Sequence, residues 1–441
     1  MSLVFNMVGG GSGGGSDTYA FIIVTYPAGS TCTASNGTKT LTAPDTSGSV
    51  VFDIPTPSST PESWTVTATD GVNTATETVS ITYDGQSESV NLAYWGGIKR
   101  IYNSSDPAWT REGAYENFTA TASVGTVAGR SDFDNVYPWS DIERVTLETG
   151  DVMIKIPKFA YWRFRDSDNY EHLRFASGAG GDFAWHPAFL HNGATTPQDY
   201  IYVGAYKTSS NNKSVSGASP TVSQTRAAMR TNAAAKGTGW GIIDLSAISA
   251  ILMLIMVEFA TNDVQSVIGA GYTNGSAKIN TGSCNNVPNL TGRPAGTSNL
   301  VDVVWRGIEG LWGNVWEWFD GLNWNGGTYW ACNNQADYAD DTSTGYTSLS
   351  YTGGATNWST SYIKEMGYDA DAAAYMLPTI GGGSNSSYYC DAVSSSTGWR
   401  VALHGGSNDN GTSAGLFALL MSLAASGASA GTGSRLLYIP S

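Results

Sequence analysis

The stretch Gly310–Gly321, GLWGNVWEWFDG, places three tryptophans around one asparagine and one glutamate. Aromatic residues at this density predict a strand and turn inside a core, because each ring buries a large apolar area. Glu317 lies between two of the tryptophans, and a buried carboxylate needs a partner. Arg400, in TGWRVAL, is the candidate by residue type, since a guanidinium pairs bidentately with a carboxylate.

GNVWEW, followed further along the chain by GWRVAL, resembles the formylglycine-generating-enzyme-type branch of the C-type lectin fold. GGGSNSS (Gly381–Ser387) matches the middle element of that family's pattern, and His186–Ser209 resembles the strand that opens the fold. The resemblance covers roughly residues 150–441 and implies an α+β domain with two helices, short strands and long loops. It also implies structural anchors at Asn314, Trp316, Glu317, Trp399, Arg400, Phe417 and Arg435. This fold hosts enzymes and binding proteins alike, so it does not assign a function.

The tail Ser407–Ser434 contains one charged residue, Asp409, among small and apolar residues. It resembles the variable region of proteins targeted by diversity-generating retroelements, here about 398–436. The fixed positions of that pattern are matched by Gly405, Gly406, Gly411, Ala414, Gly415, Leu416, Phe417, Gly433, Arg435 and Leu436. In such systems adenines are randomised, so Asn codons become codons that never encode Lys, Glu, Gln or Trp. A low-complexity loop would explain the missing Lys and Glu nearly as well.

The resemblance implies that tail residues reachable from an Asn codon form a ligand-binding surface with their side chains pointing outward. These residues are Ser407, Asp409, Asn410, Ser413, Ala418, Leu420, Ser422, Leu423, Gly427, Ser429 and Gly431. Met421 is not reachable from an Asn codon, so we expect it to be fixed. Surface substitutions at such positions usually change stability by only about 0.5 kcal/mol.

A chain of 441 residues predicts two or three domains. Only 13% of the residues are charged, the net charge is −15, and no Lys/Arg cluster occurs. These features argue against nucleic acid and against anionic membrane surfaces as partners. The N-terminus lacks the features of a secretory signal, and the most apolar run, Ala247–Val257, is too short to span a bilayer.

Three segments are expected along the chain. Residues 1–16 combine an apolar head with a flexible Gly/Ser linker, predicting either docking onto other phage tail proteins or a disordered end. Alternating apolar and polar residues over 17–93 predict an Ig-like β-sandwich that acts as a spacer. The C-type-lectin-type ligand-binding domain would occupy 94–441, with helices over Ser223–Lys236 and Leu245–Gln265.

Enzymes of the resembling family use a reactive cysteine pair with copper or a three-histidine iron site. The chain contains His172, His186, His191 and His404, together with Cys32, Cys284, Cys332 and Cys390. His186 and His191 lie five residues apart in a loop, a poor arrangement for a facial site, and no third ligand is obvious. No CxxC pair occurs, although Cys332 and Cys390 could still be close in space. We expect no enzymatic activity and no cofactor. An Asp/Asn-rich loop such as SDFDN (Ser131–Asn135) offers oxygen ligands for a structural calcium ion. A simple turn is the stronger expectation there.

The leading interpretation is a phage or prophage tail receptor-binding protein with a retroelement-diversified surface, assembled into the virion in the host cytoplasm. Its partner would be a bacterial surface protein or glycan. A homo-oligomer such as a trimer is expected, because related proteins act through multivalency. The alternatives are a non-diversified structural or carbohydrate-binding tail protein and, third, an oxidative enzyme of the formylglycine-generating or sulfoxide-synthase kind.

Overall fold

The computed structural model describes most of the chain in two compact units, Met1–Tyr94 and Trp95–Ser441. The described residues are 19–26, 29–55, 61–69, 74–82, 86–92, 95–352 and 358–440. The predicted head and linker over 1–16 lie outside these residues.

The first unit consists of strands that contribute to two sheets. Its strands are β1 (Tyr19–Thr25), β2 (Thr31–Ser35), β3 (Thr40–Thr42), β4 (Ser49–Pro55), β5 (Glu62–Thr69), β6 (Thr74–Ile81) and β7 (Ser87–Asn91). One sheet has the order β4-β1-β7 and the other β3-β2-β5-β6. Alternate residues such as Ile22 and Val66 are fully buried and join one core around Trp64. The period-two pattern in the sequence therefore corresponds to strands with one buried face.

The second unit is also rich in strands and carries the α-helices of the described chain. Its strands are β8 (Trp95–Ile101), β9 (Thr110–Gly113), β10 (Ala120–Thr121), β11 (Ser123–Val124), β12 (Arg130–Ser131), β13 (Glu143–Thr146), β14 (Val152–Pro157), β15 (Ala160–Arg165), β16 (Tyr170–Ala176), β17 (Ala184–Trp185), β18 (Tyr200–Lys207), β19 (Trp240–Ile242), β20 (Gly292–Arg293), β21 (Val304–Trp305), β22 (Ile308–Glu309), β23 (Trp316–Asn325), β24 (Thr328–Ala331), β25 (Thr347–Thr352), β26 (Ser361–Met366), β27 (Pro378–Gly381), β28 (Ala392–Ser395), β29 (Trp399–His404), β30 (Leu419–Leu423) and β31 (Thr432–Tyr438). The helices are α1 (Arg226–Ala234), α2 (Leu245–Phe259) and α3 (Val264–Val267).

The largest sheet of this unit places the end of the chain at its centre. Its main path is β13-β14-β18-β31-β23-β29-β30-β28-β26-β27. Strand β23, which contains the WEW motif, pairs with β29 on one side and, in parallel, with β31 on the other. The tail thus connects β29, on one side of β23, to β31 on the other side. The strands at both of its ends therefore pair with β23.

The expected helix over Leu245–Gln265 is wrong in its C-terminal part. Helix α2 begins after Asp244, whose carboxylate accepts a 2.9 Å hydrogen bond from the Ala247 N–H, and it ends at Phe259. Ala260 has a φ of 50°, a left-handed conformation in which the helix cannot continue. The residues just beyond the helix make tertiary contacts instead: the Asn262 side chain accepts a 2.8 Å hydrogen bond from the Trp109 indole. Two helices were expected and the described chain has three, none of them long and apolar enough to cross a membrane.

A buried ion cluster joins the three central strands β18, β23 and β31. The Glu317 carboxylate accepts hydrogen bonds from Lys207 Nζ at 2.8 Å and from Arg435 Nη2 at 2.7 Å and Nε at 3.1 Å. Both cations also donate to backbone carbonyls, Lys207 to Val315 and Arg435 to Gly204, each at 2.8 Å. Although burial acts to raise it, the pKa of Glu317 is lowered to about 2 by the two cations.

The expected pairing of Glu317 with Arg400 is therefore wrong. Glu317 lies opposite His404 in the antiparallel β23–β29 register, whereas Arg400 lies opposite Trp324. The four residues from Arg400 to His404 span about 13 Å of strand, beyond the reach of a salt bridge. Arg400 Nη1 instead donates to the carbonyl of Trp399 at 2.8 Å.

Replacing Arg435 should destabilise the second unit much more than replacing Arg400. Arg435→Leu leaves a fully buried carboxylate with only one of its two cations, and breaking a buried pair typically costs about 3–5 kcal/mol. Arg400→Leu should cost less than about 1 kcal/mol, because it breaks no ion pair. Urea unfolding followed by tryptophan fluorescence measures both variants. Equal losses would contradict the assigned partner of Glu317.

The contribution of Asp302 to the stability of the second unit should fall as the pH rises from about 4 to about 7. Burial, followed by the charge of Glu309, raises the pKa of Asp302 to about 7, while Lys207 and Arg435 act in the opposite direction. The folded state therefore keeps a proton that the unfolded state releases near its ordinary pKa, so folding is favoured at the acid end of this window. Asp302→Asn should flatten the decline, measured as unfolding free energy against pH. An unchanged slope would show that Asp302 does not titrate there.

Candidate ligand-binding site

An open concavity of about 600 Å³ on the second unit collects much of the predicted variable surface. It is lined by Ser276, Ala277, Lys278, Trp316, Ser407, Asn408, Asp409, Asn410, Leu420, Leu423, Ser429, Ala430, Gly431 and Thr432. Seven of these residues are among the eleven tail positions predicted to vary: Ser407, Asp409, Asn410, Leu420, Leu423, Ser429 and Gly431. The volume lies in the range of small-ligand sites.

The apolar wall of the concavity consists of Trp316, Leu420 and Leu423, all half-buried. Leu403 on β29 pairs with Leu420, and Val401 pairs with Leu423, so three residue steps on β30 match two on β29. This β-bulge brings two leucines separated by an odd number of residues into the same concavity, which regular alternation would prevent. The sequence pattern alone gave no signal for this arrangement.

The polar rim is organised by hydrogen bonds within the tail. Ser407 Oγ donates to Asp409 Oδ1 at 2.6 Å, and the Ser407 N–H donates to Asn410 Oδ1 at 2.8 Å. Asn408 Nδ2 donates to the Gly275 carbonyl at 2.8 Å. Asp409 remains exposed, and Lys278 is exposed with no ion pair among the described residues. The rim thus presents one anion, one cation, amides and hydroxyls on a preorganised backbone.

Asn314, predicted as an anchor, connects two loops beneath the rim. Its side chain bonds both the N–H and the carbonyl of Ile279, each at 3.0 Å. Its own carbonyl accepts a 3.0 Å bond from the N–H of Asn408. Asn314 therefore connects the loop that carries Lys278, through its side chain, to the variable tail, through its backbone carbonyl.

Phe417, a second predicted anchor, is held by a residue that the sequence did not single out. The buried Asp391 carboxylate accepts a 2.8 Å bond from the Phe417 N–H and a 2.7 Å bond from Gln265 Nε2. The Phe417 ring meets Tyr389 edge-to-face at 5.3 Å between centroids. Burial raises the pKa of Asp391 well above its ordinary range. No local motif marks Asp391, because its partners are distant in sequence.

Four predicted variable residues lie outside the concavity: Ser413, Ala418, Ser422 and Gly427. The expectation that all variable side chains point outward is wrong for two residues. Ala418 is 1% exposed and lines an apolar cavity of about 40 Å³ against α2, while Ser407 is 5% exposed beneath the rim. Ala418 directly follows the buried Leu416–Phe417 turn, whereas the Ser407 hydroxyl is bonded to Asp409 and Asn410.

The predicted anchors also differ in burial. Glu317, Arg435, Asn314 and Phe417 are buried. Trp316 and Trp399 are only half-buried; Trp399 lies 6.0 Å from Trp330 between ring centroids. Trp316 therefore packs against the core on one side and lines the concavity on the other.

The candidate calcium stretch forms a short 3₁₀ turn over Asp132–Asn135. Asp132 Oδ2 accepts a 2.7 Å bond from the Thr119 N–H, and Asp134 pairs with Arg306 at 2.9 Å. Both carboxylates thus have protein partners. Within the described ranges, no three His, Cys, Asp or Glu side chains group so as to hold a metal ion.

The cysteines and histidines lie in structural surroundings. All four cysteines are free and buried, and burial raises the pKa of Cys390 to about 12. A thiol with so high a pKa is a poor nucleophile at neutral pH. His172 bridges Glu112 and Asp166 at 2.9 Å each, and His191 contacts Asp244 at 2.8 Å.

Comparisons with solved structures give distant similarities. No protein-family model matches the chain, and no curated protein matches it significantly. Among solved structures, the chain is similar to the Major Tropism Determinant P3c Variant at 12% identity and a TM-score of 0.23, covering 85% of this chain and 80% of that one. A similarity at this level establishes neither a common fold nor a common activity.

Substitution by alanine should destabilise the protein at Gly406 but not at Gly431. Gly406 has a φ of +89°, and a Cβ there would lie 2.4 Å from the Ala414 Cβ. At Gly431 the nearest atom to an added Cβ would be Ser429 Oγ, at 3.8 Å. We expect Gly406→Ala to cost about 1–3 kcal/mol and Gly431→Ala to stay within about 0.5 kcal/mol, measured by urea unfolding. Equal effects would remove the structural distinction between fixed and variable glycines.

Proposed function

We propose that this protein is a phage tail receptor-binding protein whose C-terminal tail is a diversified ligand-binding surface. The observation that carries the proposal is the position of the tail. It begins just after β29 and ends within β31, both paired to β23, while seven of its predicted variable residues line one concavity. A protein whose framework and recognition surface are separated in this way can change ligand without refolding.

The energetics of the tail support this separation. Leu416, Phe417 and Arg435 are buried, with contacts that fix the backbone. Asp409 and Ser429 are exposed, so substitution there removes little packing. Variation confined to such positions would preserve stability.

The further elements of the proposal come from the sequence resemblances. The second unit would adopt the C-type-lectin-type fold and the first the Ig-like fold, as a spacer. The protein would act in the virion, assembled in the host cytoplasm, as a homo-oligomer in which avidity multiplies weak binding to a bacterial surface protein or glycan. The acidic net charge of −15 supports partners other than nucleic acid or anionic membranes.

We also propose that the protein binds without catalysing a reaction. This part of the proposal is supported by the raised pKa of the buried Cys390 thiol, which makes it a poor nucleophile, and by the burial of His172 and His191 against carboxylates. Copper or iron bound stoichiometrically to the purified chain would contradict this part of the proposal and favour the oxidative enzyme.

Sequencing of this gene and its flanks across a natural population tests the proposed function. We expect substitutions at the concavity positions, such as Asp409, Leu420 and Ser429, and constancy at Met421, Phe417 and Arg435. An adenine-rich imperfect copy of the tail should lie nearby. The stretch Ser361–Ser395, which packs beside the tail but lies before it in sequence, is the internal control and should not vary.

A uniform tail without a template copy would overturn diversification. The protein would then be better described as a fixed structural or carbohydrate-binding tail protein. A glycan array across isolates separates the two descriptions, because a fixed lectin should keep one narrow specificity.

A further inference from the structure

Trp316 occupies an unusual position for a residue of the central strand. Its neighbours in sequence, Val315, Glu317 and Trp318, are fully buried, whereas Trp316 is half-buried and lines the concavity. Its N–H donates to the Gly431 carbonyl at 2.8 Å, and its Cα pairs with that of Thr432. The backbone that carries the ring is therefore fixed by the sheet rather than by a loop.

We propose that Trp316 is a constant platform on which the concavity binds one pyranose unit of a neutral glycan. This inference rests on the proposed receptor-binding function and names the ligand class of the same site. Trp316 precedes the tail in sequence, so tail diversification would leave it unchanged. The tail residues around it would then select among sugars.

The size of the site is sufficient for a small ring such as a sugar. A volume of about 600 Å³ lies within the roughly 300–1,000 Å³ of small-ligand sites. Protein partners usually bury about 800 Å² on each side of a broader, flatter contact. A sugar unit can enter the concavity and present its remaining chain to solvent.

The chemistry of the lining matches the two faces of a pyranose. The ring C–H face of such a sugar is apolar and fits the indole of Trp316 beside Leu420 and Leu423. The hydroxyl edge needs donors and acceptors, which the rim supplies through Asp409 and Asn410.

The charges of the site favour a neutral sugar. The concavity carries one anion, Asp409, and one cation, Lys278, so their charges cancel. The chain as a whole has a net charge of −15, which opposes the approach of acidic glycans.

Saturation-transfer difference NMR on the full chain tests the inference. The probes are methyl β-D-galactopyranoside, methyl α-D-mannopyranoside and N-acetylglucosamine, with N-acetylneuraminic acid as the charged comparison. We expect transfer to the ring protons of at least one neutral sugar and none to the acidic one. Trp316→Ala should weaken binding of every responding sugar about tenfold or more, because it removes a central aromatic contact.

Two matched variants separate recognition from folding. Trp399→Ala removes another half-buried tryptophan, outside the concavity, and should leave the transfer unchanged. Trp316→Phe keeps an aromatic face and should retain part of the signal. Leu423→Asn, a change within the codon set, should alter the ranking of the sugars without abolishing all binding.

Absence of transfer from all three neutral sugars to the wild-type chain would overturn the inference. Equal transfer in Trp316→Ala would overturn it as well. Either result alongside population variation in the tail would leave the receptor-binding function standing and point to a protein ligand. A uniform tail together with Trp316-dependent transfer would instead support a fixed lectin.

Discussion

The carboxylate of Glu317 is the constraint on which the arrangement of the second unit depends. It is fully buried, and a lone buried charge would cost far more than a domain's net stability can offset. Lys207 on β18 and Arg435 on β31 neutralise it from the same side of β23, so the charge is satisfied when β18, β31 and β23 lie in this order. The cluster thus specifies strand order more than it adds stability, consistent with the modest net worth of buried ion pairs.

This specification has a direct consequence for the tail. Arg435 comes almost at the end of the chain, and its pairing with Glu317 fixes β31 beside β23. Asn314 and Asp391 fix the backbone at two further points, through the Asn408 N–H and the Phe417 N–H. Between these fixed points, exposed side chains such as those of Asp409 and Ser429 can be replaced with little loss of packing. Stability and recognition therefore depend on different residues of one short segment.

The concavity itself combines both kinds of residue. Trp316 belongs to the sheet framework and precedes the tail, whereas Leu420 and Leu423 belong to the tail and reach the same wall only through the bulge on β30. A binding site built in this way keeps one chemical feature constant while the others change. The proposed function would require such an arrangement.

The sequence by itself determined the local features whose causes are local. Period-two alternation marked the strands of the first unit, the apolar run marked a helix beginning at Leu245, and GNVWEW marked the central strand β23. The resemblance of the tail also identified seven of the fourteen residues that line the concavity. The sequence could not identify Arg435 rather than Arg400 as the partner of Glu317, because that pairing depends on strand register. Nor could it place the end of α2 at Phe259, bury Ala418, or find Asp391, since each follows from contacts between distant segments. Only the tertiary structure decided these points, because burial and charge pairing are properties of the assembled sheet rather than of any stretch of the chain.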